Sequence, residues 1–453
     1  MSAPAGPLPR WIEIGVLPIV NLLMALVVTG LIVLAIGESP IAAIRAMSAG
    51  AFGDLYGIGY TLYYATNFIF TGLAVAIAFH AGLFNIGGEG QAYIGGLGAG
   101  LVALALDHTS LSLWPVLALG MVASAVFGAG WAYIPAYLQA KRGSHIVITT
   151  IMFNFLAAAL MVYLLVNVFR IPGSMEVVSR DFDANAGIPY VHELLGKIGI
   201  EMPSTPLNLA FVWALLCCLI VWVYLWRSRS GYELRTTGLS PKAAQYAGIR
   251  PDRVTIQAML ISGALAGFVG FNEIMGVHRQ LMLDFVAGAG FTGIAVALMG
   301  RNHPVGIILA SLLFGALFQG GSELAFDIPT ITRDMIVVMQ GLVILFSGAL
   351  AYMNRPILER LWRLYHARRS TKAVLVAPVS PAAAPDAPVA LAAESATVVA
   401  VESAANTPAP PEPELEVVEA EIVTMTGAEP VSTKPAPRKK RGPKKPKPIP
   451  GEI

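Results

Sequence analysis

The chain has 453 residues, of which 56% are hydrophobic and 13% charged, about half the charged share of an average soluble protein. The formal net charge of +2 says little, because the positions of the charges matter more than their sum. The length alone would suggest two or three soluble domains, but the composition overrides that estimate and favours an integral membrane protein.

Ten apolar segments of roughly the length that crosses a bilayer follow one another along the chain. The first is too long for a signal-peptide core and lacks a small-residue cleavage site, so we expect it to stay as a span. The sequence therefore predicts an all-α membrane protein of about ten transmembrane helices, with a short cytoplasmic N-terminus at 1–13 and a transmembrane domain at 14–353. The predicted spans are 14–36, 57–79, 91–106, 111–138, 146–168, 207–226, 254–275, 285–300, 304–320 and 335–353.

Basic residues predict how the spans are oriented, because Lys and Arg concentrate in cytoplasmic loops. The segment 227–253 carries six basic residues against two acidic ones, whereas the loop 170–206 carries five acidic residues against three basic ones. Ten spans with both termini in the cytoplasm place every basic cluster inside, including the basic juxtamembrane segment 354–369.

The ten segments divide into two halves of five, and an odd number of spans per half implies inverted topology. The third and eighth segments, 91–106 and 285–300, are the shortest, occupy matching positions and are rich in glycine. Such segments are the best sequence indication of a transport site, although close helix packing through small residues explains them too.

The composition changes after Ser370, where Ala, Pro and Val dominate before an acidic stretch and a final basic run. Recurrent proline and low hydrophobicity predict that 370–453 is disordered. Its basic end suits anionic lipid headgroups, but a solvated tail is the simpler interpretation, and no nucleic-acid partner is expected.

A compact set of helix signals lies within the basic segment between the sixth and seventh spans. Ser240 is a favourable N-cap, and Pro241 suits the first helical position. Alanines 243 and 244 favour helix, and Gly248 can adopt the left-handed conformation that ends one. The sequence predicts a short helix with a small-residue face, which an ordinary connector would not need.

Three motifs resemble those of one transporter family. The loop from Gly231 to Ile249 resembles the coupling-helix segment of ATP-binding cassette (ABC) permeases. The stretch Gly82-Leu-Phe-Asn85-Ile-Gly-Gly-Glu89-Gly-Gln91 resembles the signature around the second and third helices of the nucleoside and simple-sugar permeases, which are related to the branched-chain amino acid permeases. Residues 290–304 resemble its counterpart in the second half, and the similarity covers roughly 12–355.

This resemblance implies a permease subunit of an ATP-driven importer in the bacterial inner membrane. Expected partners are a cognate ABC ATPase, a second paralogous permease (or a second copy of this chain) and an extracytoplasmic substrate-binding lipoprotein. ATP and Mg²⁺ would bind the ATPase, because this chain has no phosphate-binding loop, and it shows no catalytic or metal motif. Nucleosides are the first expected substrate, followed by pentoses and then branched-chain amino acids.

The resemblance also implies two groups of functional residues. The segment 235–250 would dock on the ATPase through Arg235, Gly238, Ser240, Pro241, Ala243, Ala244 and Gly248. Amide groups both donate and accept, which suits a neutral nucleoside, and intramembrane polar residues tend to face the bundle interior. The candidate substrate-pathway residues are Asn67, Asn85, Glu89, Gln91, Asn154, Phe291 and Thr292.

Structural alternatives apply to these pathway candidates. The stretch from Asn85 to Gln91 also fits a turn between spans, and Glu89 fits either a ribose contact or the electrostatic capping of a helix start. An ion-coupled secondary transporter is an alternative of another class, for which Glu89 is the one candidate ionisable residue. Glu273 and His278 are expected near the outer headgroups.

Overall fold

The computed structural model describes residues 9, 12–106, 109, 111–183, 186–346, 354–360 and 362, and this part of the chain consists of helices joined by loops. Short π-helical segments precede α1 at Ile12–Val16, follow α6 at Leu165–Phe169 and follow α11 at Asn272–His278. The α-helices are α1 (Leu17–Ala35), α2 (Pro40–Phe52), α3 (Leu55–His80), α4 (Gly88–Leu106), α5 (Leu113–Arg142), α6 (Ile146–Leu164), α7 (Val191–Gly196), α8 (Ala210–Arg227), α9 (Arg229–Leu239), α10 (Pro241–Tyr246), α11 (Pro251–Phe271), α12 (Ala289–Met299), α13 (Pro304–Asp327) and α14 (Arg333–Ile344).

The all-α class is confirmed, but the described helices do not by themselves give ten spans. By length and composition, six are long and apolar enough to cross a membrane: α3, α5, α6, α8, α11 and α13, with α6 and α11 counted together with their π segments. A seventh is reached if α1 and α2, which meet at a bend of 117°, form one span. Among the described residues, α12 and α14 are apolar helices of 11 and 12 residues, shorter than a full span.

The sequence predicts a short third span, but the helix in that place is of ordinary length. Helix α4 begins at Gly88 and runs for 19 residues. Of the two matching segments, the third and the eighth, the eighth alone forms a short helix, α12. Helix α2 was missed altogether, although its signals are local. Ser39 accepts a hydrogen bond from the N–H of Ala42, Pro40 occupies the first turn, and Asp54 caps the following α3.

Glycines set the spacing of the central helices. Helix α4 is buried along most of its length and packs against α5 and α11. A Cβ atom at Gly128 of α5 would collide with the backbone of Gly263 on α11, and one at Gly95 of α4 would collide with the backbone of Gly267. These helices therefore approach until their backbones touch, which small residues permit in membrane bundles.

The outer helices carry the opposite pattern, because their large apolar side chains point away from the protein. Such a surface would be unfavourable in water and is the surface that lipid tails cover. Examples that are at least half exposed are Leu23, Val27, Leu31, Val122, Val126, Phe155 and Leu219.

Some sequence predictions fall on residues outside the described part. They are most of the N-terminus at 1–13, residues 347–353 of the tenth predicted span, half of the basic segment 354–369 and the whole tail 370–453, which was predicted to be disordered.

The backbone contact between α5 and α11 generates a matched test on one helix. Gly128→Ala places a methyl group against the Gly263 backbone, and overpacking of this kind costs about 1–3 kcal/mol. Gly130→Ala meets open space and gains about 0.5–1 kcal/mol from the better helix former. We expect the first variant to lower the thermal unfolding midpoint of the purified protein and the second to maintain or raise it. Equal midpoints would contradict the contact.

Candidate functional site

The break between α3 and α4 is closed by a pair of amide side chains. The Asn85 Oδ1 accepts from the Gly87 N–H (2.9 Å) and from the Gln91 Nε2 (3.1 Å). Its Nδ2 donates to the Gln91 Oε1 and to the Ser262 Oγ, each at 2.9 Å. Both amides are 1% exposed. The pair thus satisfies itself, stabilises the non-helical backbone and ties it to α11.

A third amide joins the same break from α6. The Asn154 Oδ1 accepts from the Gly90 N–H at 2.9 Å, and its Nδ2 donates to the Ile86 carbonyl oxygen at 2.9 Å. One side chain therefore pairs a backbone donor at the start of α4 and a backbone acceptor just before it. This is how irregular backbone is tolerated at membrane depth.

Glu89 connects α4 to the start of α12. One carboxylate oxygen accepts from the Gly288 N–H (2.9 Å), and the other accepts from the Gly290 N–H (2.8 Å). Gly288 is the N-cap residue of α12 and Gly290 lies in its first turn, positions whose N–H groups have no intrahelical partner. These contacts agree with the interpretation in which Glu89 caps a helix start. Contact between Glu89 and a substrate ribose stays a prediction.

The starts of the two glycine-rich helices touch one another. A Cβ atom at Gly290 would collide with the backbone of Glu89, and one at Gly88 would lie 3.5 Å from the Gly290 carbonyl oxygen. Each helix start carries a partial positive charge. The carboxylate of Glu89 lies in the first turn of α4 and bonds the first turn of α12, so it faces both positive ends.

The segment that leads into α12 has an unusual backbone. Arg279, Asp284 and Ala287 have φ values of 53°, 58° and 47°, a region that costs non-glycine residues about 1–3 kcal/mol each. Neighbouring bonds hold it in place, including one from the Tyr93 hydroxyl to the Asp284 Oδ1 (3.2 Å). Strained segments of this kind cluster at functional sites, and the sequence contains no signal for this one.

Asn67 does not join this group but belongs to a separate buried network. Its Nδ2 donates to the Glu273 Oε1 at 2.5 Å, and its Oδ1 accepts from the Asn272 Nδ2 at 2.9 Å. The Tyr63 hydroxyl also donates to Glu273, and a ring nitrogen of His278 lies 3.3 Å from that carboxylate. The expectation that Glu273 meets headgroups is wrong, because only 2% of its surface is exposed. It links α3 to the π segment after α11.

The two pathway candidates in α12 differ in their surroundings. Thr292 is buried and its hydroxyl donates to the Gly288 carbonyl oxygen at 3.2 Å, beside the Glu89 contact. Phe291 is 50% exposed. Of the predicted residues, the structure thus brings together Asn85, Glu89, Gln91, Asn154 and Thr292.

A cleft of about 370 Å³ was missed by sequence reasoning. It lies among α3, α13 and α14, and Ala287 of the strained segment also lines it. The lining residues are far apart in the sequence, so no local motif marks it. They are Tyr64, Ala287, Phe318, Ser322, Ala325, Ile336, Val337 and Gln340.

The predicted short helix is confirmed as α10. The N–H of Ala243 donates to the Ser240 Oγ at 3.3 Å, Pro241 is the first helical residue, and Gly248 ends the helix with a φ of 78°. Of the alanines, Ala244 is buried and Ala243 is exposed. Two large side chains here point away from the protein: Leu239, which ends α9, is 89% exposed, and Tyr246, which ends α10, is 95% exposed.

The residues before Ser240 are helical, whereas the sequence had suggested a loop. Arg235 and Gly238 lie in α9, whose start is capped by the Ser228 Oγ accepting from the Gly231 N–H at 3.0 Å. A Cβ atom at Gly238 would collide with the backbone of residues 80–82, which lead out of α3. Helix α9 therefore rests directly on the break between α3 and α4.

Comparison with known proteins identifies a family that matches this chain. The family described as "Branched-chain amino acid transport system / permease component" matches residues 57–348, which is more than half of the chain. The chain belongs to this family. It is therefore a multi-pass membrane protein and the permease component of an ABC importer, not itself the ATPase. Permeases of this family work with an ATPase and a substrate-binding protein.

Curated relatives resemble the permease over nearly their whole length. The guanosine ABC transporter permease NupP of Bacillus subtilis is 33% identical over 76% of this chain and 95% of its own. The glucose ABC transporter permease TsgB13 of Haloferax volcanii is 34% identical over 78% and 91%. The nucleoside ABC transporter permease NupB of Lactococcus lactis is 31% identical over 73% and 89%. No solved structure matches.

The Glu89 contacts generate a graded prediction for the permease. Glu89→Gln retains one acceptor oxygen, whereas Glu89→Ala leaves both N–H groups of α12 unpaired, at about 1–3 kcal/mol each. We expect thermal stability to fall in the order Glu, Gln, Ala. Glu193→Ala, which removes an exposed carboxylate from the first turn of α7, is the control and should change little. The prediction is contradicted if the Glu89→Ala variant is as stable as the unaltered protein.

Proposed function

We propose that the chain is the permease subunit of an ABC importer for nucleosides and that α10 is its coupling helix. The observation that best supports this proposal is the exposure of α10, whose side chains are all exposed except that of Ala244. Nearly full exposure of Leu239 and Tyr246 is characteristic of a protein-binding surface. An ATPase groove is the partner that a permease needs at such a surface.

The charges near α10 support placing it in the cytoplasm. Lys141 at the end of α5 forms an ion pair of 2.7 Å with Asp252 at the start of α11, directly after α10. The basic residues of 227–253 share this end of the bundle. With this end inside, both termini are cytoplasmic, and α4, α12 and α14 complete the arrangement of ten spans.

The contact of α4 with α12 fits the two inverted five-helix repeats. The two helices begin at matching places in their halves, and their starts meet. Broken helices whose starts meet in the interior are how repeats of this kind form a transport site. In this arrangement Asn85, Glu89, Gln91 and Asn154 hold the backbone at the breaks, and Asn67, Phe291 and Thr292 are proposed to line the pathway.

A route for the coupling movement follows from the contacts. Helix α10 continues from α9, and Gly238 of α9 lies against the turn at Gly82. That turn leads into the Asn85–Gln91 amide pair and from there to Glu89, which holds the start of α12. Movement imposed on α10 by an ATPase therefore reaches the interior through backbone contacts and the side chains of Asn85, Gln91 and Glu89.

A neutral substrate agrees best with the interior. The positive starts of α4 and α12 already face the Glu89 carboxylate, so they offer no free site for a substrate carboxylate. This disfavours branched-chain amino acids. Nucleosides stand before glucose or pentoses because two of the three relatives above are named for guanosine or nucleosides. Family membership leaves the ion-coupled alternative without support.

The partners proposed for the complete importer are a cognate ATPase, a second paralogous permease and an extracytoplasmic binding lipoprotein in the bacterial inner membrane. A homodimer is the alternative to the paralogous pair. ATP and Mg²⁺ bind the ATPase, as the resemblance implies.

Docking of α10 is tested by adding charge to its apolar surface. The double variant Leu239→Asp and Tyr246→Asp is expected to lose co-purification with the ATPase and to lower uptake at least tenfold. Both side chains are almost wholly exposed, so we expect the substitutions to leave the fold intact. Met175→Asp, at a residue 98% exposed in another loop, is the matched control. Retained ATPase binding by the double variant would disprove the coupling role.

The substrate class is tested on the cognate binding protein. In a thermal-shift screen we expect nucleosides to raise its unfolding temperature and glucose, pentoses and branched-chain amino acids to leave it unchanged, because binding to the folded state alone stabilises it. Stabilisation by a sugar and not by nucleosides would reassign the substrate.

A further inference from the structure

We infer that the cleft among α3, α13 and α14 binds the nucleoside during its passage through the permease. The inference rests on the proposed function for the substrate class and adds a site to it. At about 370 Å³ the cleft falls within the range of about 300–1,000 Å³ typical of small-molecule sites.

Two aromatic side chains give the cleft a wall suited to a base. The rings of Tyr64 and Phe318 have centroids 5.7 Å apart, and Phe68 packs edge-on against Phe318 at 5.0 Å. Phe68 is buried and holds the Phe318 ring in place, while Tyr64 and Phe318 are each partly exposed. Rings fixed in this way form a platform on which a planar base stacks, whatever its identity.

Two polar side chains in the cleft are available to a ligand. Ser322 and Gln340 line it, and neither side chain makes a hydrogen bond to another residue in the part of the chain that the structure describes. A hydroxyl and an amide each donate and accept, which matches ribose hydroxyls and the edge of a base. An apolar wall with a few convergent polar groups is the usual composition of a ligand site.

The absence of charge among the described lining residues restricts the ligand further. An amino acid or a nucleotide would bring a charged group that finds no partner there, and an unpaired charge away from water is strongly unfavourable. A neutral nucleoside brings none. A free sugar would satisfy the polar groups but would leave the aromatic platform without a base.

The position of the cleft suits entry from the side opposite the ATPase. Tyr64 precedes His80 by sixteen residues, about 24 Å along α3, and the end of α3 contacts α9. Ala287 lines the cleft one residue before Gly288, whose N–H is held by Glu89. A movement of the α12 start therefore alters the cleft, which places the bound ligand within reach of the coupling route.

Photolabelling of the assembled importer tests the site directly. The complex with ATPase and binding protein, in lipid nanodiscs, is irradiated with 8-azidoadenosine, and labelled peptides are identified by mass spectrometry. We expect label in peptides containing Tyr64, Phe318–Ser322 or Gln340, reduced at least fivefold by excess guanosine or adenosine but not by ribose. Label elsewhere, no label in the permease, or label that nucleosides do not displace would overturn the inference.

Uptake by variants gives an independent measurement. Phe318→Leu and Gln340→Leu are expected to lower nucleoside uptake at saturating substrate at least fivefold, and co-purification with the ATPase monitors folding. Phe155→Leu, which removes an aromatic ring 67% exposed on α6, is the control and should transport normally. Normal uptake by both cleft variants would contradict the site.

Failure of the site and failure of the proposed substrate are distinguishable. If the unaltered importer takes up a sugar and no nucleoside, the proposed substrate is wrong. If it takes up nucleosides while the cleft is neither labelled nor sensitive to substitution, the substrate stands and the cleft is not its site.

Discussion

Backbone groups that leave a helix inside an apolar bundle must find partners other than water, and this requirement organises the centre of the permease. Each unsatisfied group there costs several kcal/mol. In the part of the chain that the structure describes, helices break in the interior before α4 and before α12, and the exposed backbone groups pair with Asn85, Glu89, Gln91 and Asn154. The two breaks are thereby joined, because Glu89 extends from one helix start to the other.

Close packing makes that junction possible. Glycines bring the backbones of α4, α5 and α11 into contact, and they bring the start of α4 against the start of α12. A larger residue at these contacts would separate the helices and lengthen the bonds from Glu89. The same closeness connects α9 to the turn after α3, so the exposed α10 is mechanically continuous with the interior. The ligand cleft, bordered by Ala287, lies at the far end of this chain of contacts.

The parts of this architecture that depend on local chemistry were predictable from the sequence. Helix α10 follows from its cap, its first proline and its final glycine, all within nine residues. Helix α2 has comparable signals at Ser39 and Pro40, but apolar run length alone does not detect it. The Glu273 network was not predictable, because its partners at Tyr63 and Asn67 are more than two hundred residues away. Hydropathy alone could not give the number of membrane crossings either, because it does not distinguish a full span from a short buried helix such as α12.

The central claim is that Glu89 holds the two helix starts together. Hydrogen–deuterium exchange of the assembled importer, read by mass spectrometry, tests it most directly, because amides that lose a hydrogen bond and its packing exchange faster. In Glu89→Ala, peptides covering 284–292 should exchange faster than in the unaltered protein, while peptides covering α10 should not change. Unchanged exchange at 284–292 would contradict the claim.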